Sequence, residues 1–259
     1  MIQNLPQWLS QYRLSQYRLS QYRLSHFRPS NRVSRLLALA LAVILPKRCS
    51  ICLLPSDAGI CQSCLPLLPW IEHGCNRCAA PLGAGGICGD CQSGKRPIER
   101  TVAPFRYRSP IARQVQLIKY HNRLDYVEGL AELLANAVIR QTVELPDAIV
   151  PIPLHKSRMR QRGYNQALLL ANALSTQLGV PVATKLLIRP KATESQTSLN
   201  KKQRRQNLQD AFAVTGSERY HSVALVDDVI TSGATMTAAA KVLHQNGVSN
   251  INAWAIAKA

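Results

Sequence analysis

From Lys95 onward the chain alternates short, wholly apolar runs with longer stretches whose apolar residues recur at helical spacing. Val223 to Val226 and Ala148 to Pro153 suit strands buried on both faces, as in a parallel sheet covered by helices. Thr101 to Tyr107, Val180 to Ile188 and Ile251 to Ala257 read as further strands. Between them, Ile111 to Tyr120, Tyr126 to Thr142, Asn165 to Leu178 and Ala234 to Gln245 read as helices, with Gly247 closing the last. Strands alternating with helices predict an α/β domain over 95–259, built on a mostly parallel sheet of about four or five strands.

Ahead of residue 95 the pattern changes to cysteine pairs. All eight cysteines fall into CxxC steps: Cys49/Cys52, Cys61/Cys64, Cys75/Cys78 and Cys88/Cys91. A CxxC turn aims two thiolates at one tetrahedral cation, so eight ligands serve two structural zinc ions with no ligand position left for water. Disulfides would need an oxidising compartment and gain little from bridges so short. Spacing leaves the pairing open between two sequential sites, Cys49 to Cys64 and Cys75 to Cys91, and a cross-braced arrangement. His73 reads as a surface residue.

Residues 36–94 are thus read as a short helix, Leu36 to Leu45, followed by a double zinc ribbon. That apolar run is too short to cross a bilayer, which takes ~20 residues. Residues 1–35 carry the repeat Leu-Ser-Gln-Tyr-Arg, and Met1 to Ser56 holds eight Lys or Arg without one Asp or Glu. Such a segment reads as a disordered basic tail, an extension of a chain whose folded part begins near Leu36. The formal charge of +18 and pI of 10.0 call for anionic partners. The hydrophobic fraction of 46% permits a sizeable core.

The run Val223-Ala-Leu-Val-Asp-Asp-Val-Ile-Thr-Ser-Gly-Ala-Thr235 carries the most chemistry. Asp227 and Asp228 are expected at the carboxyl end of the strand, where sheet ligands gather and a carboxylate can accept from two ribose hydroxyls. Thr231, Ser232, Gly233, Ala234 and Thr235 then offer hydroxyls and open backbone N–H groups at a helix start, a cradle for phosphate. The run resembles the phosphoribosyl pyrophosphate (PRPP) motif of type I phosphoribosyltransferases. That resemblance implies a ribose diol on the two acids and a 5′-phosphate in the loop.

After Pro153, Lys156, Arg158, Arg160 and Arg162 gather on what reads as a loop, where guanidinium forks can clamp pyrophosphate. Arg189 to Asn200, with Thr193 and Gln196, reads as a mobile loop that closes over the site, and Lys201 to Leu208 as a cationic helix.

Taken together, the CxxC pairs, Lys119-Tyr120, Val150-Pro-Ile-Pro-Leu-His155, Arg158-Met-Arg-Gln-Arg-Gly-Tyr-Asn-Gln-Ala167, Thr193-x-x-Gln196-x-x-Leu199, Arg204-x-x-Asn207 and Ala211-Phe212 resemble the ComF/GntX family. The resemblance implies a double zinc ribbon, a phosphoribosyltransferase-type domain, PRPP with Mg²⁺ as ligand, and a role in natural competence or the use of external DNA. Two readings follow. In one the chain transfers a phosphoribosyl group, to a nucleobase in a salvage version. In the other it is a non-catalytic factor for single-stranded DNA, a competence ATPase or another uptake protein. Sparse aromatics, 5% of residues, speak against base stacking. The absence of a GxxxxGK[ST] loop rules out a motor ATPase of that type. Either reading expects a cytoplasmic chain, working at most at the inner face of the membrane.

Overall fold

A computed structural model of the chain describes residues 48–94, 96–142, 144–190, 211–216 and 218–259. The basic repeat, the expected helix Leu36 to Leu45, Thr193, Gln196 and the Lys201 to Leu208 segment lie outside them.

The described residues begin with the cysteine region, which holds a 3₁₀ turn, Leu65–Leu67, and a single helical turn, α1, Gly89–Gln92. The chain then enters β1 (Arg100–Val102) and β2 (Phe105–Arg106), followed by α2 (Ile111–His121) and α3 (Asp125–Gln141). Next come β3 (Ala148–Pro151), α4 (Lys156–Arg162), α5 (Gln166–Leu178), β4 (Leu187–Ile188) and β5 (Ala213–Val214). The last unit is β6 (Ser222–Ile230), α6 (Ala234–Gln245) and β7 (Asn250–Lys258).

The main sheet runs β1-β7-β6-β3, with β2 also on β7, and every pairing in it is parallel. Its strands are apolar on both sides because each face carries helices. Ala224, Val226, Trp254 and Ile149 pack with α3 and α5, while Val223, Leu225, Ile251 and Ala253 pack with α6. Adjacent residues of β6 therefore serve opposite cores, as the period of two requires.

Three expected elements fold differently. Thr101 to Tyr107 is split into β1 and β2 at Ala103-Pro104, where proline has no N–H to give and its carbonyl instead accepts from Ile71 N at 2.8 Å. Val180 to Ile188 is not one strand. Only Val182 bridges to Ile149, and after a turn Leu187–Ile188 pairs antiparallel with β5 in a separate ribbon. The basic segment after Pro153 is the helix α4 rather than a loop. His155 caps it by accepting from Ser157 N, and Gly163 ends it at φ +78°, a conformation that suits glycine.

The cysteine region packs on the α/β domain along two lines. Gln114 of α2 is buried and donates to the Ser50 carbonyl at 3.3 Å and to Ser50 Oγ at 2.7 Å. Trp70 lies against Phe105 with ring centres 4.5 Å apart. Farther along, Thr101 donates through Oγ1 to the Arg77 carbonyl at 2.7 Å. Cys49, Ile60, Leu65 and Leu68 belong to the same core as α3 and α5, so the two parts share one apolar interior.

Candidate functional site

Two groups of thiols stand apart in the cysteine region: Cys49, Cys52, Cys61 and Cys64, and Cys75, Cys78, Cys88 and Cys91. Within each, the sulfur atoms lie within 4.8 Å of one another, and none of the eight is in a disulfide. The pairing left open by spacing is therefore sequential. Four sulfurs at ~2.3 Å from one tetrahedral ion would be about 3.8 Å apart. Cys52 and Cys61 are 3.7 Å apart, as are Cys78 and Cys88, so the donor sets fit zinc. Backbone N–H groups are aimed at the first sulfur of each site: Cys61 N at 3.3 Å from Cys49 Sγ, and Cys88 N at 3.3 Å from Cys75 Sγ. Burial works against the Cys49 and Cys75 thiolates, but these donors outweigh it and bring both thiols down to about 6. Burial and the neighbouring thiols push Cys64 and Cys91 well above the ordinary range. Four close thiols of such unequal acidity are what a divalent cation would level by ionising all of them. His73 is exposed and takes no part.

The two acids lie inside the sheet. β6 continues to Ile230 because β7 runs beside it to Lys258, so Asp227 and Asp228 are strand residues rather than residues beyond the strand end. Asp228 is buried and Asp227 half-buried. Asp227 accepts from Asp228 N at 2.8 Å, which holds its carboxylate beside the backbone. Burial, and then the Asp228 charge, raise Asp227 to about 7, against the opposing pull of Lys119.

Lys119, in the last turn of α2, places Nζ 2.8 Å from Asp228 Oδ2. Burial disfavours the ammonium, but Asp228 more than offsets that and lifts Lys119 above its ordinary value. Tyr107, the residue after β2, lies near Lys119. Sequence reading placed Lys119 at a helix end and in the family pattern without giving it a role in the site. No spacing rule links positions 119 and 228.

Helix α4 divides its cations by face. Arg158 and Arg162, one turn apart, are half-buried, whereas Lys156 and Arg160 are exposed. The Arg162 guanidinium sits 5.3 Å from the Tyr120 ring centre, and the Tyr164 hydroxyl donates to the Ile118 carbonyl. These contacts join the end of α4 to the end of α2, beside Lys119. Burial lowers Arg189, the nearby Arg158 charge adds to that, and Asp227 opposes it. Arg189 also stacks toward Phe212 at 5.4 Å. Arg189 thus lies near both Arg158 and Asp227, and Arg162 lies beside the end of α2, while Lys156 and Arg160 face solvent. Pro153 marks the turn into this helix and is half-buried.

Thr231, Ser232 and Gly233 form the expected turn after β6, and Ala234 and Thr235 open α6. Gly233 is at φ +76°, and Ala234 N donates to Ser232 Oγ at 3.4 Å. Lys258 fastens the loop from the neighbouring strand, its Nζ donating to the Thr231 carbonyl at 2.5 Å.

A parallel sheet with an acid pair on its central strand, a glycine turn and a following helix defines a phosphoribosyltransferase-type domain, here carrying two four-cysteine zinc ribbons. Residues 40–92 match the double zinc ribbon domain family, and residues 164–258 match the phosphoribosyl transferase domain family. The chain is 36% identical over 209 residues to competence protein F of Haemophilus influenzae, covering 78% of this chain and 91% of that protein. It is 30% identical over 221 residues to the DNA utilization protein YhgH of Escherichia coli K12, covering 82% and 97%. With competence protein ComFC of Bacillus subtilis it shares 26% identity over 204 residues, 75% of this chain and 82% of that one. The chain belongs to the family of competence protein F, YhgH and ComFC.

Among solved structures, the glutamine PRPP amidotransferase of B. subtilis aligns with 50% of this chain and 26% of its own at 16% identity and a TM-score of 0.34. A purine phosphoribosyltransferase from Pyrococcus horikoshii aligns with 51% and 82% at 17% identity and a TM-score of 0.32.

No helix among the described residues is long and apolar enough to cross a membrane.

Proposed function

We propose that the chain binds PRPP, or a related phosphoribosyl ligand, together with Mg²⁺, and acts in DNA uptake or the use of external DNA in the cytoplasm. The observation that carries this reading is the meeting of Asp227 and Asp228 on β6 with Lys119 from α2, with Arg189 near Asp227 and Arg158 near Arg189. The acids would accept from the two ribose hydroxyls, and the 231–235 loop would donate N–H and hydroxyl groups to the 5′-phosphate. Arg158, Arg162 and Arg189 would hold the pyrophosphate as it leaves C1′ and the sugar carbon becomes electron-poor. Mg²⁺ would neutralise charge on that leaving group. The names of the relatives, competence and DNA utilization, support the cellular role. Calorimetric titration of PRPP with Mg²⁺ into the zinc-loaded chain, beside Asp227→Asn/Asp228→Asn, tests the site. Heat of binding that the variant loses supports it, and no binding by the wild type removes it.

A second reading, a factor for single-stranded DNA or a partner such as a competence ATPase, draws on the exposed Lys156 and Arg160 and the charge of +18. A mobility-shift titration with single-stranded oligonucleotide at several salt concentrations tests its DNA form. No shift even at low salt would remove direct DNA contact.

A further inference from the structure

The second zinc ribbon lies against the loop 231–235 and the start of α6, where Arg77 and Cys78 share one small cavity with Ser232, Gly233, Thr237 and Lys258. The ribbon is tied to the sheet beside it. Thr101 of β1 donates through its N–H to the Asn76 carbonyl at 3.3 Å and through Oγ1 to the Arg77 carbonyl at 2.7 Å, so both residues between Cys75 and Cys78 are held by one strand residue. Thr101 stands opposite Ala253 of β7, and β7 ends at Lys258. From there the Lys258 ammonium reaches the Thr231 carbonyl at 2.5 Å and the Ala259 carbonyl at 2.6 Å. Burial disfavours that ammonium, and the nearby Cys78 favours it. The first ribbon is tied elsewhere: Ser50 meets Gln114 of α2, and Gly59 meets Gly129 of α3.

We propose that Lys258 is a positioning residue for the 5′-phosphate loop and that the second zinc ribbon, through Asn76, Arg77 and Cys78, holds it in place, so that the affinity of the loop for phosphate is linked to metal loading of the Cys75–Cys91 site and not of the Cys49–Cys64 site. The proposal rests on the reading of residues 231–235 as a 5′-phosphate cradle and adds what regulates that cradle. Cysteines that coordinate a metal are thiolates, and four of them around one divalent cation leave net negative charge beside Lys258. That charge favours the buried ammonium, and with it the bond to the Thr231 carbonyl. The same coordination fixes the turn whose two carbonyls accept from Thr101. With the turn and the ammonium both in place, the loop is ordered before phosphate arrives, and its ordering cost is not subtracted from binding.

Linkage is reciprocal, so a zinc site that favours the phosphate loop must itself be favoured by a ligand in that loop. The test therefore reads zinc affinity on the full chain, by equilibrium competition with a chelator, with and without saturating ribose 5-phosphate. In wild type the ligand should tighten one of the two zinc ions by about tenfold and leave the other unchanged. Cys52→Ser, which cripples the first site, should keep the effect on the remaining ion, and Cys78→Ser, which cripples the second, should abolish it. Lys258→Met, whose cysteines are intact, should bind two zinc ions without linkage, weaken ribose 5-phosphate by the same factor and speed amide exchange at 232–235. Lys258→Arg, which can still donate to the Thr231 carbonyl, should restore most of each effect. Ribose 5-phosphate that binds wild type without tightening either ion, tightens both alike, or keeps its linkage in Lys258→Met overturns the proposal while leaving the loop reading intact. Failure of ribose 5-phosphate and PRPP alike to bind wild type overturns the loop reading and the proposal with it.

Discussion

Lys119 and Asp228 meet across 109 positions of sequence in an ion pair of 2.8 Å, with side chains only 20% and 11% exposed. At such burial the pair is held by its geometry rather than by solvent-screened attraction, and removing one partner strands the other charge. Lys119→Met should therefore destabilise the chain by about 3 kcal/mol, while Lys119→Met/Asp228→Asn should recover most of that loss. Denaturant melts of the two single variants and the double variant measure the coupling. Purely additive losses would mean that the pair does not hold α2 to β6.

Asp227 supplies a pH dependence of two opposite signs. Its carboxyl has an ordinary value of 3.8 and is raised to about 7 in the fold, so across that window the folded chain holds a proton that the unfolded chain has released. Stability contributed at this position should fall as pH rises from 3.8 to about 7 and stay low above it. Ligand binding should run the other way, because the ionised carboxylate is the form that accepts from a diol. PRPP affinity should drop about tenfold per pH unit below the folded value. Asp227→Asn should flatten both profiles, raise stability at pH 8 by roughly 1 kcal/mol, and remove binding. A wild-type melting temperature that climbs between pH 4 and pH 7 in step with the variant's would contradict the assignment.

The run from Val223 to Thr235 was legible because strand, acids, glycine turn and helix are contiguous, and α6 spans the expected Ala234 to Gln245. The zinc ligands were legible because a CxxC step fixes local geometry, yet their pairing needed the fold. Extension of β6 through both acids depends on the length of its neighbour β7, a tertiary fact. Val180 to Ile188 looked like a strand because its apolar residues fit one, but only Val182 reaches the sheet and the chain turns away at Thr184 to Leu186. Charge alone marks the basic segment in the sequence, and its helical form is what separates its cations into two faces.

That separation gives a test that distinguishes the two functional readings. Arg158→Gln/Arg162→Gln should weaken PRPP binding at least tenfold, since each guanidinium would lose a charge-assisted bond of about 1.5–3 kcal/mol. Lys156→Gln/Arg160→Gln should leave PRPP binding unchanged. If the outward face contacts single-stranded DNA through both residues, the second pair should also reduce the slope of log K against log salt by about 1.4. Calorimetry and salt-dependent mobility shifts read the two effects separately. PRPP affinity that falls equally in both variants would show that the faces are not distinct in function.

Gly59 of the first zinc ribbon and Gly129 of α3 approach each other backbone to backbone. A Cβ built on Gly59 would lie 2.5 Å from Gly129 Cα, and one built on Gly129 would lie 3.0 Å from Gly59 Cα. Both contacts are backbone atoms, which cannot swing aside as a side-chain tip would. Gly59→Ala must therefore push the ribbon off the helix, at about 1–3 kcal/mol. Gly129→Ala meets a milder contact and gains up to ~1 kcal/mol of helix propensity inside α3, so its net loss should be smaller. For a chain of this size about 1 kcal/mol moves the melting temperature by roughly 2–4 °C, so the two variants should be separable in a thermal melt. The larger loss should also carry a local signature: faster amide exchange at Ser50, whose N–H donates to the Gly59 carbonyl at 2.9 Å. Unchanged exchange at Ser50 in a destabilised Gly59→Ala chain would place the strain within α3 and not at the ribbon.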